Sequence, residues 1–388
     1  MAAESHLKKA MSLRDLVSLG VLSILGSGGF NLLGRAVTQA GPMWPATLAA
    51  ASAVFMGSSL TYEEAFRTHP SNTSESDIVQ TEFGSVASAT TAMAILVFNI
   101  VSISTILVFC SHILLPKGSW PAQIMLTIVG IGLMAVFSLQ GIDVNKEVMN
   151  AVSMSLVAIL ALAGLLGVGG LLTRGIPTVF RVKDGSLVSS FFYFFFILAG
   201  FDALIKFTKE TKDSEDIPRS FYWSNIISIL LLTGAVIGYI TWVDLKSLSS
   251  FDNPLGELFH VFLGGNTRDI FINVAVAFMG LTTFVVFLAT TRYLYGLSEL
   301  YPRLAFLKSM NAAKVPDTAV YTTFGIASLA ALLNHTEMLL RMSDVGLAVQ
   351  LATVAAAATV SQFKKGHLPL IEGATTVALT AVLGSVFS

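Results

Sequence analysis

Gly26, Ser27, Gly28 and Gly29 stand in the middle of an apolar stretch, Leu16 to Gly34, that carries no charged side chain. Glycine costs about 1 kcal/mol per residue against alanine in a helix interior. Within a membrane, the backbone groups freed by a broken helix must also find partners. A second weak point lies in the aromatic run "FFYFFFILAGFDALIKF", residues 191–207, where Ala199 and Gly200 precede Phe201 and Asp202. Two broken helices would present N–H and C=O groups at membrane depth, able to hold a carboxylate and an ammonium. Glycine lets the backbone approach such a ligand with no Cβ in the way. Interrupted segments at corresponding positions of two halves are the pattern of a midplane binding site. The plainer readings are close helix packing for the glycines and, for Asp202, a helix-end charge that reaches water.

The rest of the chain must position these two breaks. It has 388 residues, of which 54% are hydrophobic and 12% charged. Soluble domains carry about 25% charged residues, and the mean hydropathy is +0.74. This composition points to an all-α polytopic membrane protein with the lipid bilayer as its partner. Eleven charge-poor runs are long enough to span: near 16–36, 42–62, 87–112, 121–140, 149–172, 187–206, 220–242, 270–291, 317–334, 344–362 and 368–387. The polar start lacks a cleavage site after its first apolar run, which is expected to stay as the first span. With the N-terminus in the cytoplasm, fifteen Lys and Arg residues face that side and eight the other. This bias supports that orientation. The organisation expected is a cytoplasmic segment 1–15, a first group of five helices at 16–173, a second at 187–363, and an additional helix at 368–387. An odd number of spans per group turns the two groups opposite ways, as in an inverted repeat.

Other chemistries lack their residues. Cys110 is the only cysteine, which excludes an intramolecular disulfide and a Cys-based zinc site. The six histidines form no His-Glu-x-x-His, and there is no Walker A or Gly-x-Ser-x-Gly sequence. No enzyme, cofactor or metal is expected. A net charge of −1 argues against a nucleic-acid partner.

Four stretches, in order, resemble the amino acid–polyamine–organocation (APC) superfamily. "LGSGGFNLLGRAVTQAGP" is similar to its first-span motif, "LTYEEAFRTHP" to the end of its second span, "FFFILAGFDALIKFTKETKDSEDIPRS" to its sixth, and "ATTRYLYGLSELYPRLAFLKSMNAAKVPDTAV" to its eighth and the following loop. The resemblance implies a LeuT-like five-plus-five inverted repeat with discontinuous first and sixth helices. The implied activity is secondary transport of amino acids or related amines by alternating access. Carried over by position, Gly26, Ser27, Gly28 and Gly29 would hold the substrate carboxylate. Ile197, Ala199 and Gly200 would offer backbone oxygens to its ammonium, beside Phe201, and Glu210 would belong to the cytoplasmic gate. Where some members have a fifth-span lysine linked to proton coupling, this chain has apolar or hydroxyl residues, Val157 among them, and "SNTSESD" replaces the usual Gly-Gly before the third span. Three arrangements stay open: a proton carried by Asp202, sodium bound by Thr290 and Thr291, and exchange or sensing with no ion.

Overall fold

The computed structural model describes residues 7–26, 32–175, 186–243 and 254–386. Ser27, Gly28 and Gly29, three of the four residues of the first weak point, lie outside these. Among the described residues the fold is all helical, apart from one isolated bridge between Met11 and Thr211. The helices are α1 (Leu13–Leu25), α2 (Leu33–Ala40), α3 (Trp44–Thr68), α4 (Ser74–Phe83), α5 (Ser85–Leu114), α6 (Trp120–Ser138) and α7 (Ile142–Arg174). Then follow α8 (Leu187–Leu198), a 3₁₀ segment (Phe201–Glu210), α9 (Asp216–Trp242), α10 (Pro254–Leu263), α11 (Thr267–Leu300), α12 (Asp317–Ala331), α13 (Thr336–Lys364) and α14 (Leu370–Val386).

Among the described residues, the runs read from the sequence as spans lie mainly on helix. Among the described residues, seven segments, counting 187–210 as one, are by themselves long and apolar enough to cross a membrane. At the second weak point the helix is interrupted, α8 ending at Leu198 before Ala199 and Gly200; at the first, α1 ends at Leu25 with Gly26 as its cap, and the rest of that stretch lies outside the described residues. Several helices outrun the apolar windows. α7 starts at Ile142, and α11 continues to Leu300, because charged residues at their ends are paired or packed within the protein. Two further helices, α4 and α10, occupy stretches read as connections.

Outward faces are apolar where a soluble protein would be polar. On α6, Val129, Leu133, Val136 and Phe137 are exposed, as are Leu165, Val168 and Leu172 on α7. Exposed apolar surface on this scale needs a covering medium, and for an all-helical chain of this hydropathy that medium is lipid.

Glycine decides one contact at the core of the bundle. α7 and α9 cross with Gly164 against Gly234 and Gly167 against Gly238, so closely that a Cβ on Gly167 would stand 2.5 Å from the Gly238 nitrogen. Beyond the crossing, the Trp242 indole N–H donates to the Leu166 carbonyl at 2.7 Å. Small residues that let backbones meet are the usual means of helix association in lipid, where no hydrophobic force favours it. Gly169, two residues on, faces open space. Gly167→Val is therefore expected to lower the thermal unfolding temperature in detergent clearly, by overpacking worth about 1–3 kcal/mol or more, while Gly169→Val leaves it unchanged.

Candidate functional site

The breaks in the two helices meet. Gly200 has φ +131°, a backbone conformation that side chains rarely adopt, and a Cβ there would lie 2.7 Å from the Ser23 carbonyl oxygen on α1. At Gly26 a Cβ would collide with the Thr282 hydroxyl of α11 at 1.5 Å. That hydroxyl donates to the Leu22 carbonyl at 3.0 Å, which also accepts the Gly26 N–H. The two interruptions and α11 thus share one backbone-dense junction.

A cavity of about 360 Å³ begins at this junction. Its deep end is formed by Ser23, Ala199, Gly200, Asp202 and Thr282. Its other end carries exposed Arg35, Glu337 and Leu340. The walls between come from α5 and α13, each presenting one helical stripe that includes Asn99 and Ser102 on the first and Ser343 and Asp344 on the second. The Ser102 and Ser343 hydroxyls, 2.6 Å apart, tie the two helices together. Ser23 Oγ and Asn99 Nδ2 are buried with no partner among the described residues.

Beneath the cavity lies a charge cluster that sequence reasoning missed. Lys206, read from the sequence as facing the cytoplasm, is fully buried. Its ammonium donates to Glu75 Oε1 at 2.5 Å, to Asp202 Oδ2 at 2.9 Å and to the Asp202 carbonyl at 2.8 Å. The Gln350 amide of α13 donates to Asp202 Oδ2 at 3.0 Å and to the Tyr62 hydroxyl at 3.1 Å. Glu75 comes from α4, whose "SNTSESD" gave no sign of a helix or a buried acid. The four-residue spacing of Asp202 and Lys206 was the available signal for their pairing.

The site is closed on the side away from Arg35 and Glu337. Arg292, also counted with the cytoplasmic charges, is fully buried and grips Glu210 with two bonds, Nε to Oε2 at 3.1 Å and Nη2 to Oε1 at 3.0 Å. Removing Lys206 and Arg292 takes the fifteen cytoplasmic charges expected from the sequence down to thirteen. An N-terminal strap backs this closure. The Ala10 and Met11 N–H groups donate to the Glu210 carbonyl at 2.8 and 3.0 Å, and Lys146 caps the Ala10 carbonyl at 3.0 Å.

The other residues singled out from sequence divide as follows. Ala199, Gly200 and Asp202 line the cavity, and the Gly200 carbonyl accepts the Ala203 N–H at 3.2 Å. Ile197 is buried in the core beside the cavity without lining it. Phe201 packs edge-on against Phe55, Tyr62 and Phe221, also away from the cavity. Thr290 and Thr291 are buried, and their hydroxyls donate to Val286 and Leu288 of their own helix at 2.7 Å each. Glu63 and Arg67 pair within α3 at 2.7 Å.

An all-helical membrane bundle whose helix ends frame a small, mainly apolar cavity with a few polar groups, with a buried ion pair on the side away from its exposed rim, has the build of a carrier. The family model described as amino acid permease matches residues 11–388. The chain belongs to that family, within the APC superfamily, which is a family of transporters and not of enzymes. No curated protein matches it.

Removing the ammonium should expose the cost of the cluster. Breaking a buried pair by deleting one partner costs about 3–5 kcal/mol, because the other charge is left uncompensated. Lys206→Met is expected to lower the unfolding temperature in detergent strongly. Adding Glu75→Gln to that variant should restore part of the loss; equal destabilisation in the single and double variants would contradict the charge argument.

Proposed function

We propose that the chain is a secondary transporter that carries amino acids or related amines by alternating access, with the junction of the two broken helices as its substrate site. The observation that carries this reading is the cavity itself: its deep end is at Gly200, Ser23 and Asp202, it rises along α5 and α13 to exposed Arg35 and Glu337, and the buried Glu210–Arg292 pair lies outside its lining, at the far end of the 3₁₀ segment that begins beside Gly200. A compartment open to one side and barred on the other is what one half of an alternating cycle requires. In this reading, Gly26, Ser27, Gly28 and Gly29 receive the substrate carboxylate, and the backbone around Ile197, Ala199 and Gly200 receives its ammonium. The two groups of five helices, 16–173 and 187–363, act as opposed repeats, followed by an eleventh span. Charge bias puts the N-terminus and the Glu210–Arg292 lock in the cytoplasm.

For the driving ion we favour a proton at Asp202. Two carboxylates, Asp202 and Glu75, share one ammonium, so the cluster has room for one more positive charge. Asp202 touches both the cavity and Lys206, which lets arrival of substrate and arrival of a proton bear on the same group. The Thr290 and Thr291 hydroxyls are committed to their own helix, which gives the sodium arrangement less support.

The test is uptake of a radiolabelled amino acid panel into proteoliposomes. At least one amino acid should accumulate when an inward proton gradient is imposed, with sodium absent. Asp202→Asn should keep exchange of substrate across the membrane and lose gradient-driven accumulation. Uptake that requires sodium and ignores the pH gradient would move the coupling away from Asp202. Binding with no flux in any condition would make the protein a sensor.

A further inference from the structure

We propose that the substrate side chain carries a positive charge, a lysine-like, ornithine-like or arginine-like ammonium or guanidinium, and that Asp344 is the residue that selects it. The proposal deepens the transport reading above and rests on it.

Asp344 lies on the stripe of α13 that faces the cavity, eight residues into the helix from Thr336. It is partly buried, and no cation among the described residues pairs with it. The other ionisable groups facing the same space are few. Asp202 at the deep end is already paired, sharing the Lys206 ammonium with Glu75. Arg35 and Glu337, of opposite sign, sit at the exposed rim. Asp344 is thus a partly buried acid in the wall of the cavity, away from the exposed rim, with no cation paired to it among the described residues. An ionisable residue at membrane depth is costly and is normally paired. Here the missing partner is a cation that enters from outside.

The geometry gives that cation an address. Gln350, which bonds Asp202 at the floor of the cavity, lies six residues from Asp344 on the same helix, about 9 Å along its axis. An amino acid whose backbone groups sit at the helix breaks would therefore have Asp344 above it. The four-carbon stem of a lysine spans this kind of distance, whereas a short neutral side chain ends below it. Two buried polar atoms on the way, Ser23 Oγ and Asn99 Nδ2, have no partner among the described residues. They are uncommitted contacts for a polar ligand, the first at the break and the second on the α5 wall of the same cavity. The Ser102–Ser343 bond joins α5 and α13 one residue from Asp344, which lines the cavity beside them.

Purified protein should be compared for binding of L-lysine and L-norleucine, which differ mainly by the terminal ammonium. The expected result is that lysine binds at least tenfold more tightly. In Asp344→Asn this preference should fall below twofold while norleucine affinity stays the same, which also reports a folded site. Equal or tighter binding of norleucine by the unmodified protein would overturn the proposal with no variant needed. A lysine preference that survives in Asp344→Asn would overturn the role of Asp344. If neutral amino acids bind and cationic ones do not, only this inference fails. If no amino acid binds at all, the transport reading falls with it.

Discussion

The Lys206 ammonium has no access to water, and much of the architecture answers that constraint. A charge removed from water must be met by opposite charge and hydrogen bonds, or the fold loses several kcal/mol. Here the answer comes from separate parts of the chain. Glu75 arrives from the short helix α4, Asp202 from the segment that follows the second break, and Gln350 from α13, which also holds Tyr62 of α3. The ring of Tyr293 on α11 lies 5.8 Å from the ammonium, and its hydroxyl bonds Ser76 of α4. One buried ammonium thus fastens the 3₁₀ segment, the connecting helix and three long helices at one point. That point is the floor of the cavity.

The two ends of the molecule are built differently as a result. On the lock side, ionic and backbone bonds are dense: Arg292 with Glu210, the strap with the Glu210 carbonyl, and Lys365 with Glu64 at 2.5 Å. On the open side, α5 and α13 contribute hydroxyls, an amide and a carboxylate to a largely apolar cavity, and the Ser102 and Ser343 hydroxyls join the two helices there. Opening the lock would require separating Glu210 from Arg292 and lifting the strap off the Glu210 carbonyl. Those bonds connect the end of the 3₁₀ segment to α11 and to the N-terminus, so movement of the second broken helix is tied to all of them.

Much of this was legible in the sequence. Charge-poor runs located the helices because the bilayer leaves a simple signature, and both breaks were visible because Gly200 and the glycines near residue 26 are poor helix formers. Ala199, Gly200 and Asp202, singled out in the sequence for their place at the second weak point, line the cavity. Lys206 and Arg292 were assigned to solvent because a lysine or arginine near a span end usually reaches it; their partners are about 130 and 80 residues away, and one sequence does not show such pairings. The α4 helix escaped for a related reason. "SNTSESD" is a turn-like composition, and its helix exists because Glu75, Ser76 and Asp77 are used by neighbours rather than by water. Phe201 was expected beside the ligand, but its ring is drawn into the Phe55–Tyr62–Phe221 cluster, a packing preference invisible along the chain.

The central claim is that the space at the helix breaks communicates with one side of the membrane only while Glu210 and Arg292 are joined. The most direct measurement uses Ser102→Cys in a Cys110→Ser background, reconstituted in sealed vesicles and exposed to a membrane-impermeant thiol reagent from each side in turn. The account predicts labelling only from the side that carries Arg35 and Glu337, with labelling from the opposite side appearing when Arg292→Ala is added. Equal labelling from both sides with the ion pair intact, or labelling from the Glu210 side alone, would contradict it.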